Sequence, residues 1–87
     1  MEAPKPIHLR PRQIKTVPLA ERGTWNANEF LNLTRDIKQN GMRVPIRVRK
    51  KGATLYEIID GKKRFVAAYL LEMRILVCLD FTDVIAG

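Results

Sequence analysis

The run Asp60-Gly61-Lys62-Lys63-Arg64 puts a carboxylate, a residue with no side chain and three cations into five consecutive positions. A strand-like stretch ends at Ile59 just before it, and a helical pattern starts with Lys62. The start of a helix presents backbone N–H groups without intrahelical partners and the positive end of the macrodipole. Acidic residues complement that field. Cations oppose it, at a few tenths of a kcal/mol per charge (roughly). A bound phosphate reverses the sign of the conflict, because Lys62, Lys63, Arg64 and the open N–H groups then face one anion together. Gly61 suits a close backbone approach or a tight turn. Asp60 suits a helix cap, or a metal ion that accompanies phosphates. The pattern is weaker than a P-loop, and the sequence contains no G-x-x-x-x-G-K-[ST].

A second cationic cluster runs from Arg43 to Lys51, with Arg47 and Arg49 two apart and no acid between them. Arg43, Arg47, Arg49, Lys50 and Lys51 are the candidates for a nucleic-acid backbone. A solvated edge strand guarded by charge explains the same residues. Trp25, Tyr56 and Tyr69 suit base stacking or, more commonly, core packing. His8 is the single histidine, so neither a metal pair nor a catalytic pair can be built on it. Cys78 is the single cysteine and lies in the apolar run Ile75-Leu76-Val77-Cys78-Leu79, which reads as a small buried hydrophobe and not as a reactive thiol.

These residues need elements to hold them. Residues 1–13 contain Pro4, Pro6 and Pro11 and accumulate basic residues toward their end, which reads as an extended basic arm ahead of a domain over 14–87. Ile14 to Leu19 alternates loosely and predicts a short strand ended by Pro18. Asn26 or Asn28 caps a helix that runs to about Asn40, with Phe30, Leu33, Thr34 and Ile37 on one face and Gly41 as its left-handed terminator. Val44, Ile46 and Val48 alternate with Pro45, Arg47 and Arg49, a strand with Pro45 near a sheet edge. Leu55 to Ile59 completes a hairpin. Residues 62 to 73 form a helix that is apolar all round in its middle and so buried, Ile75 to Phe81 reads as a central strand, and Thr82 to Gly87 as a loose tail. The fold class is a mixed α/β or α+β domain with two main helices.

A chain of 87 residues is one domain with a thin core. Sixteen Lys and Arg against nine Asp and Glu give a net charge of +7, which attracts polyanions such as nucleic acid or nucleotides. No apolar run approaches the roughly 18 residues that span a membrane. A lone cysteine and an N-terminus without an apolar leader fit a cytoplasmic protein.

Three stretches in order resemble the ParB/sulfiredoxin-like superfamily. Asn40-Gly41 followed by Val44-Pro45-Ile46-Arg47-Val48-Arg49 is similar to "G…xPIxVR". Tyr56-Glu57-Ile58-Ile59-Asp60-Gly61 is similar to "YEIIxG", and Lys62-Lys63-Arg64-Phe65-Val66-Ala67-Ala68 to "ERRxRAA" or "HHRxxAA". The resemblance covers about residues 14 to 81. It implies a small mixed sheet and a glycine-plus-basic turn that binds nucleotide phosphates through Gly61, Lys62, Lys63 and Arg64, with Arg47 and Arg49 as neighbours. Members include CTP-binding partition proteins, sulfiredoxins, free-serine kinases and proteins described as nucleases. The implied ligand is CTP or ATP with Mg2+. The implied partners are a nucleotide and DNA, in partition, plasmid or viral maintenance or regulation, with homodimerisation compatible.

Two departures from the pattern carry information. The partition proteins place glutamate directly after the glycine, where this chain has Lys62, which argues against metal-assisted CTP hydrolysis. Sulfiredoxins carry their catalytic cysteine at the same place, whereas Cys78 lies on the following strand, which argues against sulfinic-acid reduction. The helix-turn-helix and dimerisation domains of full partition proteins are missing, so a stand-alone or excised domain is expected. An enzyme of the nuclease or phosphotransferase type is the alternative. It would need carboxylates near the phosphate, with Asp60 and Glu57 as candidates ahead of Glu29 and Asp36. A basic protein-interaction domain with a decayed site is the third reading.

Overall fold

The computed structural model describes residues 3–84. Its elements run β1 (Lys5–Leu9), a 3-10 turn (Pro11–Gln13), α1 (Leu19–Arg22), α2 (Ala27–Asn40), β2 (Ile46–Lys50), β3 (Tyr56–Asp60), α3 (Lys62–Leu70) and β4 (Leu76–Asp80). The four strands form one mixed sheet in the order β1-β4-β2-β3. Strands β1 and β4 are antiparallel, β4 and β2 parallel, and β2 and β3 an antiparallel hairpin. The fold class is therefore the small mixed α+β domain expected from the sequence.

Strand alternation decides which side chains enter the core. Ile46 and Val48 of β2 and Leu76 and Cys78 of β4 are fully buried, while Arg47, Arg49 and Val77 between them are exposed. Leu9 and Ile7 of β1 join this face, as do Tyr56 and Ile58 of β3. Phe65, Val66 and Ala68 of α3 close over it. α2 packs beside α3, with Phe30 against the core and Trp25 tilted on Phe30 at 5.6 Å between ring centroids.

The termini of α2 follow the sequence closely. Asn26 caps it by accepting a hydrogen bond from the Glu29 N–H at 3.0 Å. Gly41 follows with φ of 75° and donates its N–H to the Ile37 carbonyl at 2.8 Å. Its ψ of 179° is extended and not left-handed helical, so it ends the helix in a different conformation from the one expected.

Several expectations are corrected. The arm is not separate from the sheet: Lys5–Leu9 pairs with β4 as an edge strand, where Pro6 is tolerated. Ile14 contributes only an isolated bridge to Tyr56, residues 15–18 form no strand, and a one-turn helix starts at Leu19. β2 lies between β4 and β3, so the charged strand is not a sheet edge, and Pro45 sits directly ahead of its first residue, Ile46, where a strand start also suits proline. α3 stops at Leu70 and is not apolar-buried all round. Phe65 to Ala68 are buried, but Tyr69 is 53% and Leu70 58% exposed. Glu72, at φ of 59°, turns the chain toward β4. Of the expected loose tail, Thr82 to Val84 is held: the Thr82 hydroxyl accepts the Lys50 N–H at 2.8 Å, and the Val84 N–H reaches the Phe81 carbonyl. Residues 85–87 lie outside the described residues. No helix among the described residues is long and apolar enough to cross a membrane.

Candidate functional site

The β3–α3 junction is built by a glycine that cannot be replaced without strain. Gly61 has φ of 102° and ψ of 26°, in the left-handed region. A methyl group there would lie 3.3 Å from Arg64 Nη1 and 3.4 Å from Ile46 Cα. The missing side chain thus lets the turn lie against the backbone of β2 and the Arg64 guanidinium against the turn. Gly61 occupies the N-cap position, and no side chain caps the helix. The expected capping role of Asp60 is therefore not found. Asp60 is the last residue of β3, and its carboxylate approaches Arg64 Nη2 at 3.8 Å. The first N–H groups of α3 are left without a side-chain acceptor, and no acid occupies the first turn.

Asp60, Gly61, Lys62, Lys63 and Arg64 line one cavity of about 450 Å³. Trp25, Leu33 and Ile59 form its apolar wall. The cations differ in how firmly they are held. The Arg64 side chain is 22% exposed, and Nη1 donates to the Pro45 carbonyl at 3.4 Å. Lys62 Nζ donates to Glu21 Oε1 of α1 at 3.0 Å. Lys63 is exposed and has no ion pair or side-chain hydrogen bond among the described residues. Lys62 also lines a second, smaller cavity of about 250 Å³ shared with Glu21 and Glu57.

Arg47 and Arg49 are not gathered with these residues. Arg47 is backbone-paired with Asp60, but the Arg47 guanidinium lies 5.8 Å from the Phe81 ring centroid, and neither arginine lines the cavity. The rest of that cluster is partly neutralised. Arg43 pairs with Asp36 at 2.6 Å and Lys51 with Glu57 at 3.7 Å. Arg49 and Lys50 side chains have no acidic partner among the described residues. Glu57 and Asp60 also do not converge on a site of their own, since each faces a different cation. No group of three His, Cys, Asp or Glu side chains gathers at metal-binding distance among the described residues. Cys78 is fully buried, and desolvation pushes its thiol up to about 11, so it is protonated at neutral pH.

Two site residues were not legible as such in the sequence. Trp25 read more readily as core than as a stacking ring, and the structure places it on the cavity wall. Glu21 carried no signal, because its pairing with Lys62 spans 41 positions and depends on where α1 lands.

Residues 3–80 match the ParB N-terminal domain. The chain therefore belongs to the ParB N-terminal domain family. A sulfiredoxin from Arabidopsis thaliana has the same fold, with a TM-score of 0.75 at 26% identity over 91% of this chain and 86% of that one. A C-terminally truncated chromosome-partitioning protein ParB from Caulobacter crescentus, complexed with CTP-gamma-S, matches with a TM-score of 0.75 at 21% identity. That match covers 90% of this chain but 44% of the ParB chain. A conserved hypothetical protein from Pyrococcus furiosus matches with a TM-score of 0.72 at 17% identity, over 95% of this chain and 34% of that one. No curated protein sequence matches the chain.

Proposed function

We propose that this domain binds the phosphates of a nucleotide at the turn formed by Gly61, Lys62, Lys63 and Arg64, and that its remaining basic surface works beside DNA in the cytoplasm. The observation that carries the reading is the uncapped start of α3. It combines a left-handed glycine, open N–H groups and three cations at the floor of one cavity. Trp25 and Ile59 offer an apolar wall for a base. The presence of a CTP analogue in the Caulobacter crescentus relative supports a cytidine nucleotide as the first ligand to try.

Magnitudes make the binding modest. The helix start contributes about 0.3–1 kcal/mol and each charge-assisted hydrogen bond about 1.5–3 kcal/mol. Two or three such bonds, less the cost of ordering, correspond to roughly micromolar to millimolar affinity. Asp60 is the one carboxylate among the cavity's lining residues. A Mg2+ ion that arrives with a nucleotide is commonly held by one or two carboxylates and the phosphates themselves, so this residue set fits the ion. Such an ion would neutralise phosphate charge there, while Lys62, Lys63 and Arg64 orient the phosphates.

The enzymatic reading, a small nuclease or phosphotransferase, has no observation of its own, since Glu57 and Asp60 are each turned to a separate cation. Calorimetric titration with CTP, ATP, GTP and UTP, with and without magnesium, tests the proposal against the Lys62→Ala/Arg64→Ala variant. Saturable binding of one nucleotide, lost in the variant, is the expected result. Absence of binding to all four sinks the nucleotide reading and leaves a basic interaction domain with a decayed site. Light scattering with and without the nucleotide reads any homodimer directly.

A further inference from the structure

The far end of α3 carries a second concave surface that the phosphate turn does not use. The 3-10 turn at Pro11, the bridge residue Ile14, the side of α3 at Phe65 and Tyr69, and Ile75 ahead of β4 enclose an open trough of about 760 Å³. Its floor is apolar. Phe65 is buried beneath it, with its ring 6.4 Å from that of Tyr69, while Tyr69 is 53% and Ile75 47% exposed. The trough continues past Pro11 and Tyr69 into a neighbouring cavity of about 420 Å³ that adds Leu70 and Met73. Leu70 is 58% exposed. A run of exposed apolar side chains this concentrated on a thin-cored domain marks an interaction surface.

The charges around the trough are one-sided. Arg10, Arg12 and Arg74 line it, and no acidic side chain does. None of the three has an ion-pair partner among the described residues. An arginine fork matches a carboxylate in two parallel hydrogen bonds, so three free forks around an apolar floor select carboxylates that sit next to apolar groups. We propose that this trough docks a short segment of a partner protein in which acidic residues flank leucine or aromatic anchors. A nucleic-acid strand fits less well. Tyr69 is the single exposed ring that the trough offers for stacking, and the rest of its floor is aliphatic or buried.

Selection from a random peptide display library of about twelve residues on the whole domain tests this. The enriched peptides should combine Asp or Glu with Leu or Phe. A synthetic copy should shift the amide resonances of Ile14, Tyr69 and Ile75 and leave those of Gly61 to Arg64 in place. Its affinity should fall at least about tenfold in Arg12→Glu/Arg74→Glu, with an unchanged melting temperature. A lysine-for-glutamate peptide should bind that variant better than the wild type. Ile75→Thr gives an independent loss without altering charge. The proposal is overturned by no enrichment over background, by a consensus without acids, by binding that survives both variants, or by an oligothymidylate that displaces the peptide and binds more tightly. Nucleotide titration of the same variants is unaffected if the two sites are separate, so failure here leaves the phosphate site standing.

Discussion

The start of α3 and the strand β2 use the same residue types, lysine and arginine, in opposite arrangements. At the start of α3 three cations in sequence share one cavity with an uncapped helix end, and one of them, Arg64, is held against the Pro45 carbonyl. In and beside β2 the cations are dispersed, with Arg43 and Lys51 just outside the strand. Arg43 is tied to Asp36, Lys51 to Glu57, and Arg47 lies over Phe81. The second stretch is the longer run of charge, yet it converges on nothing. Strand alternation disperses side chains at successive pleats, whereas a tight turn into a helix brings neighbours in sequence onto one anion-sized volume. Charge density in sequence is therefore a poor guide to a site unless the local backbone makes the charges meet.

The sharpest way to break this comparison is to remove the backbone that creates convergence. Gly61→Ala places a β-carbon at φ of 102° and within 3.4 Å of Ile46 Cα. The strained conformation should cost about 1–2 kcal/mol. In a domain of this size that lowers the melting temperature by roughly 4–8 °C for each kcal/mol. Nucleotide affinity should fall at least about tenfold with it, because the methyl group displaces Arg64 and narrows the approach to the N–H groups. An unchanged affinity in a destabilised domain would mean that Gly61 serves the turn alone.

Arg64→Ala comes next. It leaves the left-handed turn in place and removes one charge-assisted hydrogen bond worth about 1.5–3 kcal/mol, so affinity should drop roughly ten- to hundredfold. Differential scanning fluorimetry should show a small change, since the group it leaves behind is a carbonyl near the surface. A large loss of stability would instead assign Arg64 a mainly structural role between β2 and α3.

Much of the scaffold around the turn was legible in the sequence. Asn26 and the spacing of Phe30, Leu33 and Ile37 specified α2 almost to the residue, because capping and helical period are local properties. The apolar run around Leu76 and Cys78 announced a central strand, and β4 does lie between β1 and β2. The Gly61 turn was readable because a glycine followed by three cations is odd for a helix start. The misread regions are those decided by distant partners. Lys5–Leu9 looked like an arm because its prolines hide the alternation of Ile7 and Leu9, which gains meaning only beside β4. Arg47 and Arg49 were expected as neighbours of the phosphate turn through the resemblance, but they alternate with the buried Ile46 and Val48 and do not line the cavity. α1 and its Glu21 left no trace, since a single helical turn has no period to detect.

Glu21 offers a gentler change that acts on the α3 side of the comparison. Its carboxylate holds Lys62 Nζ at 3.0 Å, and a phosphate must compete for that cation. Both side chains are partly exposed, so the pair is worth at most about 1 kcal/mol. Glu21→Gln should therefore tighten nucleotide binding by about two- to fivefold. Weaker binding in this variant would show that Glu21 positions Lys62 for the ligand and does not restrain it.

The smallest effect is expected on β2. Arg49→Ala/Lys50→Ala removes two cations that lie outside the cavity and have no acidic partner among the described residues. Nucleotide affinity should stay within about twofold, and stability within about 0.5 kcal/mol, as for surface changes that touch no special feature. A nonspecific DNA duplex provides the contrasting readout. If the sheet face follows a phosphate backbone, the variant lowers DNA affinity for every sequence alike and reduces the salt slope by about one for each phosphate that is no longer neutralised. The same double change that is silent for the nucleotide then becomes the strongest for DNA. A nucleotide loss as large as that of Arg64→Ala would erase the distinction between the two basic regions and return β2 to the phosphate site.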